Sequence, residues 1–452
     1  MRGDRSDSNS RLGTSADLHH KKRTTAVVAS NRPPPMSRYV FSEQAFIAEI
    51  RAGDSRRFDI DLKAQRSAII TNALGAANAG TIQFSPAYVT PIKGRKCHSI
   101  PEYSAHLVLR AISSFLSRRF RIRMPDRDAI VRNVIASLSD GTPIYILRRD
   151  IKSFYESICI APLKERLLRD KAIPRKVKLY LEHYLDSFCN EDYGIPRGVG
   201  LSALLSEWVL EPYDKEVRRA PGVYRYFRFC DDILVFCHEA SPAAIAALNA
   251  LPDGMSFSPE KSADYVLDGK ASVSQRVSIT YLGYEFSCLT AATSKKPRNL
   301  VVRISERKIK RLKTRVVLSL RSFLANNNFQ LLHDRMRFLS GNYIVFRKGV
   351  NVLKSARGVK SGIYYSYQLC GEYREKFFAP HDGKELNDVD GFYRHFLCGK
   401  SNRIGQLVSA RLTPSQLRVM REVSFRKGFE ERFFVKFKSD RVHEIKAVWR
   451  NV

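Results

Sequence analysis

Residues 225–237 read RYFRFCDDILVFC and place two adjacent carboxylates, Asp231 and Asp232, inside an aromatic and aliphatic run. The composition of this run predicts two strands joined by a tight turn at the Asp pair. Buried carboxylates are costly unless something compensates their charge, and adjacent ones also repel each other. Asp pairs are common in turns, so this pair alone is weak evidence for catalysis.

Other segments give the pair a context. PIYILRRDI, residues 143–151, is a second strand-like segment, and it ends near another carboxylate, Asp150. GIPRGVGLSALLSEWVL, residues 194–210, predicts a turn rich in Gly and Pro that opens an apolar helix. This order brings carboxylates from neighbouring strands together. Such oxygen ligands suit Mg²⁺, and a pair of these ions can clamp an in-line phosphoryl transfer.

The composition indicates a nucleic-acid partner. The chain has 452 residues and a formal net charge of +32, which favours polyanions through counterion release. An anionic membrane surface and a ribosome-like scaffold role are the alternatives. Eight cysteines without a CxxC pair are typical of reduced thiols in the cytoplasm. The sequence shows no membrane-spanning run and no signal core, so we expect a cytoplasmic protein that is not bound to a membrane.

The positive charge is concentrated in the last third of the chain. Residues 301–452 hold 32 Lys and Arg against 13 Asp and Glu, which gives +19. Within this region, residues 305–323 predict an amphipathic helix with an apolar stripe of Ile309, Leu312, Val316, Leu320 and Phe323. Another face of the helix carries Lys308, Arg311 and Arg315. We expect these three cations to contact a nucleic-acid backbone.

Taken in order, these segments resemble the sequence blocks of the reverse transcriptases. RRDIKSFYESI resembles the first palm block, which implies that Asp150 is a metal ligand with the Ile151 carbonyl beside the metal. Tyr155 then takes the position of the bulky residue that excludes a ribose 2′-OH. FCDD replaces the Tyr-x-Asp-Asp box, so that Asp231 and Asp232 complete the catalytic set. The resemblance implies two Mg²⁺ ions, for which Mn²⁺ can substitute.

The remaining blocks imply a nucleotide site and a primer grip. PIKGRKCHSIP, residues 91–101, resembles the fingers hairpin that holds nucleotide phosphates. Together with the blocks GIPRG and FSPEKS and with Tyr155 of the first palm block, it assigns nucleotide binding to Lys93, Arg95, Lys96, Tyr155, Arg197, Gly198 and Lys261. ITYLGYEF, residues 279–286, resembles the primer grip, which is centred on Leu282, Gly283 and Tyr284. Arg197 departs from the family pattern, in which Gln is usual. A guanidinium offers only hydrogen-bond donors, whereas an amide offers a donor and an acceptor.

The resemblance implies an α+β right-hand polymerase fold. Residues 1–36 are rich in Ser, Arg, Asp and Lys, and we expect them to form a disordered basic tail. The resemblance assigns residues 37–142 to the fingers and residues 143–288 to an antiparallel-sheet palm that carries the aspartates. It assigns residues 289–452 to a helical, basic thumb and C-terminal extension.

The implied activity is RNA-directed DNA synthesis from dNTPs. The pattern is most similar to the stand-alone bacterial reverse transcriptases of antiphage defence, and within them to the second subunit of the type-3, two-polymerase system. The implied partners are an RNA template, including a dedicated non-coding RNA, the DNA product, and a second polymerase subunit or a further copy of the chain. Two alternatives stay open: a polymerase with restricted or protein-assisted templating, and a catalytically silent subunit that binds nucleic acid.

Overall fold

The computed structural model describes residues 40–51, 53–84, 88–92, 94–188, 192–267, 275–290, 298–346, 358–372 and 384–450. These ranges belong to the compact unit Ser37–Val452. The predicted tail, residues 1–36, lies outside the described residues, and so does Lys93 of the predicted nucleotide site.

The described chain combines helices with antiparallel sheets. The helices are α1 (Glu43–Glu49), α2 (Asp54–Arg57), α3 (Arg66–Ala79), α4 (Tyr103–Arg119), α5 (Arg127–Ser139), α6 (Ile160–Arg169), α7 (Arg175–Phe188), α8 (Gly200–Arg219), α9 (Pro242–Asn249), α10 (Glu306–Asn326), α11 (Phe329–Ser340), α12 (Gln368–Glu372), α13 (Lys384–Cys398), α14 (Arg403–Arg411), α15 (Pro414–Arg421), α16 (Phe425–Glu430) and α17 (Ser439–Ala447). The strands are β1 (Tyr88–Ile92), β2 (Arg95–Ser99), β3 (Ile144–Asp150), β4 (Val223–Phe229), β5 (Asp232–Cys237), β6 (Ala263–Leu267), β7 (Arg276–Tyr281), β8 (Tyr284–Leu289), β9 (Leu300–Ile304), β10 (Asn342–Phe346) and β11 (Gly358–Gly362). A 3-10 helix covers Pro259–Lys261. No helix in these ranges is both long and apolar enough to cross a membrane.

The predicted elements around the aspartates are confirmed. The two strand-like segments form β3 and the β4–β5 hairpin, and the turn rich in Gly and Pro leads into α8. Strands β4, β5, β3 and β6 form one antiparallel sheet in that spatial order, which we call the central sheet. A second antiparallel sheet has the order β7, β8, β9. The pairs β1–β2 and β10–β11 are two-stranded.

Burial on both faces explains why β5 reads as a continuous apolar run. Leu234 and Phe236 belong to the core on one face of the central sheet. Ile233 and Val235 alternate with them and belong to the core on the other face. Successive side chains in a strand point to opposite faces of the sheet. A strand that is covered on both faces therefore has apolar residues at successive positions instead of alternating polar and apolar ones.

Three apolar cores hold the described chain together. One, which we call the main core, runs from α5 through the central sheet and the β7–β9 sheet to the C-terminal helices, from Val131 to Trp449. A second core joins α1, α3, α4, α6 and α7 to the first half of α8. A third packs α9 and the second half of α8 against the opposite face of the central sheet. The main core therefore contains residues from both sides of the predicted palm–thumb boundary at 288/289.

Helix α10 confirms the predicted amphipathic stripe. Ile309, Val316, Leu320 and Phe323 are buried in the main core, and Leu312 packs against it half-buried. The stripe anchors α10, and this places the helix start next to the turn between β7 and β8, where the Ser305 N–H donates to the Gly283 carbonyl at 3.1 Å.

Candidate active site

The central sheet brings two of the predicted carboxylates together. Strands β3 and β5 pair so that Asp150 lies directly opposite Asp232, and Asp150 is buried. Asp231 lies in the turn before β5, and its carbonyl accepts a hydrogen bond from the Ile151 N–H at 2.8 Å. Like charges directly opposite each other on a sheet are destabilising. The fold thus maintains an arrangement that stability alone disfavours.

The turn that carries the Asp pair has an unusual backbone. Cys230 has a φ of 56°, in the left-handed region that non-glycine residues rarely adopt. Such conformations persist where the surroundings impose them, and they concentrate at functional sites.

Burial and mutual repulsion raise the pKa values of the turn carboxylates. Burial raises the pKa of Asp232 to about 7, Arg148 opposes this shift, and Asp150 adds to it. Burial also raises the pKa of Asp231, again with repulsion from Asp150. Negative charge at this site is therefore only partly compensated by the protein.

Two side-chain cations lie beside the carboxylates. The Lys261 ammonium donates to Asp150 Oδ1 at 2.6 Å. Arg148 Nε lies 3.7 Å from Asp232 Oδ1, which makes an ion pair without a hydrogen bond. Lys261, predicted to lie near the triphosphate, thus bonds a predicted metal ligand.

The donor chemistry of the site suits a divalent cation, although the side chains are not arranged around one. Among the described residues, no three His, Cys, Asp or Glu side chains form a group that could hold a metal. Asp232 Oδ1 is nevertheless buried without a hydrogen bond, and an unsatisfied carboxylate oxygen is a suitable ligand for Mg²⁺. The candidate ligands remain Asp150, Asp231, Asp232 and the Ile151 carbonyl.

A second cluster contains three of the predicted nucleotide-binding residues, Arg95, Tyr155 and Arg197. Glu156 accepts two hydrogen bonds from Arg197, from Nε and from Nη2, each at 3.0 Å. The Arg197 guanidinium also lies over the Tyr155 ring, 4.9 Å from its centroid. Arg95 of β2 is 4.0 Å from Glu156. Burial and Asp150 raise the pKa of Asp231, and Arg197 opposes this shift only in part, so the charge of this cluster is felt at the aspartates.

The β1–β2 hairpin is fixed to the turn that precedes α8. The His98 N–H donates to the Arg197 carbonyl at 2.7 Å. A cavity of about 490 Å³ lies between hairpin and turn, and its lining includes Arg95, Lys96 and Glu156. The structure therefore brings Arg95, Lys96, Arg197 and Gly198 to one place, as the sequence predicts.

We expect Gly198→Ala to lower the free energy of unfolding by about 1–3 kcal/mol. Gly198 has a φ of +97°, and an added Cβ would lie 2.6 Å from the His98 carbonyl oxygen. Gly200→Ala is the matched control, since nothing lies within 4 Å of its Cβ position at the start of α8. Urea denaturation should leave the control at wild-type stability or slightly above it. Equal stability of the two variants would contradict the close approach of the hairpin.

The turn between β7 and β8 contacts the central sheet on one side and α5 on the other. The Tyr281 hydroxyl donates to the Asp232 carbonyl at 3.1 Å. Arg127 donates to the Leu282 carbonyl from Nε and Nη2, at 3.0 and 2.8 Å, and lies over the Tyr284 ring. Leu282 and Gly283 have φ values of 47° and 83°. The predicted primer grip is thus a fixed turn next to the aspartates.

The predicted backbone-contacting cations are half-buried. Lys308, Arg311 and Arg315 line a groove of about 140 Å³ together with Tyr343 and Tyr367. Burial, followed by repulsion from Arg311, lowers the pKa of Arg315. The cations therefore form the wall of a groove and not an open helix face.

Sequence reasoning missed several residues that shape the site. Arg148 lies two positions before Asp150 on the same sheet face, so strand periodicity could have identified it. Glu156 follows Tyr155 directly, but its pairing with Arg197 spans 41 positions and left no local signal. Arg127 donates to the Leu282 carbonyl across 155 positions, so this contact also left no local signal in the sequence.

Comparisons with known proteins give distant likenesses in structure only. The sequence matches no protein-family model and no curated protein. An apo telomerase from Candida tropicalis, truncated from its C-terminal domain, aligns over 44% of this chain and 45% of its own, with 18% identity and a TM-score of 0.31. A telomerase from Candida tropicalis with a fragment of telomeric RNA aligns over 85% and 67%, with 13% identity and a TM-score of 0.33. A chain of a Cas6-RT-Cas1–Cas2 complex aligns over 92% and 64%, with 9% identity and a TM-score of 0.26. The chain spans less than half the length of the first of these.

Proposed function

We propose that this chain is a polymerase of the reverse transcriptase type that extends a primer with dNTPs on an RNA template. The observation that carries the proposal is the placement of Asp150 opposite Asp232 on paired strands, with Asp231 in the adjoining turn. The order of the sequence blocks supports it, since the segments assigned to the nucleotide and the primer adjoin this pair. In this assignment residues 37–142 are the fingers, 143–288 the palm and 289–452 the thumb with its extension.

Each group of residues has a separate task in this proposal. Asp150, Asp231, Asp232 and the Ile151 carbonyl would hold the metal ions. Bound Mg²⁺, or Mn²⁺ in its place, would activate the primer hydroxyl and stabilise charge on the phosphates. Arg95 and Lys96 of the hairpin, together with Lys93, contribute positive charge to the triphosphate. Lys261 exchanges its bond to Asp150 for one to the nucleotide.

Incorporation of each labelled dNTP by the purified chain tests the proposal. The assay contains Mg²⁺ and is run with and without added or co-purifying RNA. We expect DNA synthesis to depend on RNA. No product should form when the RNA is digested with RNase before the assay. A chain that binds nucleic acid yet incorporates no dNTP with either Mg²⁺ or Mn²⁺ supports the silent-subunit alternative.

We expect Tyr155→Val to raise the ratio of rNTP to dNTP incorporation by roughly 100-fold. The ring of Tyr155 is held between Phe154, at 5.2 Å between centroids, and the Arg197 guanidinium, so it cannot move away from an added 2′-OH. Tyr155→Phe is the matched control, because it keeps the ring and removes only the hydroxyl. Competition between rATP and dATP in a single-nucleotide assay measures the ratio. A large rise in the Phe variant as well would contradict exclusion by the ring.

One observation favours restricted templating as a second candidate function. Arg197, where the family has Gln, is held by Glu156 and by the Tyr155 ring, so its charge is fixed beside the predicted nucleotide. A fixed donor set favours some bases over others. Sequencing the product separates the candidates: a copy of the RNA supports conventional templating, and a repeat unrelated to the RNA supports the restricted kind.

The biological role rests on the resemblance to antiphage reverse transcriptases. We propose a defence function with a non-coding RNA and either a second polymerase subunit or a further copy of this chain as partners. The net charge of +32 supports contact with RNA and DNA. Phage plating on cells that carry the wild-type gene or the Asp231→Asn variant tests the role, and equal plating efficiency would count against it.

A further inference from the structure

Arg228 lies on β4, in the strand that leads into the aspartate turn, and its side chain is only 4% exposed. It binds two carboxylates of α8 at once. Nη1 and Nη2 donate to Glu207 at 3.0 and 2.7 Å, and Nε and Nη2 donate to Asp214 at 2.8 and 2.7 Å. Glu207 and Asp214 are seven residues apart and therefore share one face of the helix.

The fifth hydrogen bond of Arg228 reaches the aspartate turn itself. Nη1 donates to the Cys230 carbonyl at 3.1 Å. Cys230 is the residue in the left-handed conformation, and the next residue is Asp231. A guanidinium has five N–H groups in a rigid plane, so all five are used here. The four hydrogen bonds to Glu207 and Asp214 fix the plane of the guanidinium. The guanidinium in turn fixes the orientation of the Cys230 carbonyl.

We propose that Arg228 is a positioning residue for the carboxylate site. Held by Glu207 and Asp214, it keeps the Cys230 peptide in the orientation that presents Asp231 and Asp232 to a divalent cation. This inference rests on the proposed function, because it assigns to the turn the metal-binding task given above.

A purely structural role explains the arrangement less well. Buried ion pairs add little net stability, since desolvation offsets the attraction between the charges. Here one buried cation faces two buried carboxylates, and burial raises the pKa of Glu207 despite the contact with Arg228. An apolar contact between β4 and α8 would join the two elements without the desolvation free energy of three buried charges. The network instead holds the Arg228 guanidinium in place so that it donates to the carbonyl of Cys230, the residue in the left-handed conformation.

Mn²⁺ binding, followed by electron paramagnetic resonance on the purified full chain, tests the proposal. Arg228→Lys keeps the charge but loses the planar fork, and we expect it to weaken Mn²⁺ binding roughly tenfold, as is usual when a group that orients ligands is removed. Arg225→Lys on the same strand is the control, because Arg225 is exposed and its side chain donates to the carbonyl of the adjacent Tyr224. We expect its Mn²⁺ affinity to equal that of the wild type. Thermal melts recorded on the same samples separate stability from affinity.

Arg228→Lys that folds and binds Mn²⁺ as tightly as the wild type would overturn the proposal, whatever its melting temperature. If this variant does not fold, Glu207→Gln replaces it, since glutamine keeps the shape and weakens one side of the network. We then expect a smaller loss of about threefold, and unchanged affinity would again overturn the proposal. A wild-type chain that binds no Mn²⁺ contradicts the proposed function as well, whereas normal binding by the wild type and the Lys variant contradicts only the role of Arg228.

Discussion

Asp231→Asn should lower the rate of nucleotide incorporation by about 10³-fold or more, without loss of folded protein. Asparagine has nearly the shape of aspartate but lacks the negative charge that a divalent cation requires. The carbonyl of Asp231 continues to accept from the Ile151 N–H, because the substitution leaves the backbone unchanged. Single-turnover incorporation of a labelled dNTP with Mg²⁺ measures the rate.

A surface carboxylate provides the matched control for this experiment. Asp253 is exposed, and Asp253→Asn should retain the wild-type rate. Asp231→Asn that retains more than a tenth of the wild-type rate would show that this carboxylate is not needed for the chemistry.

Asp232→Asn should stabilise the metal-free protein by up to about 4 kcal/mol at pH 8. The pKa of this carboxyl rises from 3.8 to about 7 on folding, and burial is the main cause. An acid whose pKa is higher in the folded state destabilises the fold when ionised. That cost is absent below about pH 4, grows as the pH rises towards 7, and is constant above. The gain from asparagine should therefore shrink to about 2 kcal/mol at pH 5.

Urea denaturation in EDTA at the two pH values measures this effect. The pKa of about 7 already includes the opposing effect of Arg148, so the figure of about 4 kcal/mol is the net effect of the ionised carboxylate. The pH dependence is the sharper test, because Asp253→Asn should show no such difference between pH 5 and pH 8. Destabilisation by Asp232→Asn at pH 8 would mean that the ionised carboxylate is satisfied in the folded protein.

The sequence predicts the local part of this site well. Three strands and one helix around Asp150 and the Asp pair can be located from composition and turn residues, because local propensity and apolar pattern agree there. The pairing of Asp150 with Asp232 also follows from the order of these elements. The location of each element depends on neighbours within a few residues, whereas the pairing depends on the order of the elements along the chain.

The long-range side-chain contacts of the site could not be predicted in the same way. The Lys261 ammonium bonds Asp150 over 111 positions, and the Glu156–Arg197 pair depends on how the hairpin meets the turn before α8. The same side chains could have remained in solvent with an identical local pattern. Whether a long side chain reaches its partner is decided by distances of a few tenths of an ångström in the folded chain.

The main core has a consequence for the order of events during synthesis on the ribosome. Leu234 and Phe236 of β5 belong to the same apolar cluster as Trp449 near the C-terminus. The apolar cluster on this side of the central sheet is therefore complete only after the last helices have left the exit tunnel. Nascent chains should need a chaperone during this interval. By the same argument, exchange of the region after residue 289 would remove part of the apolar cluster that includes Leu234 and Phe236 of β5.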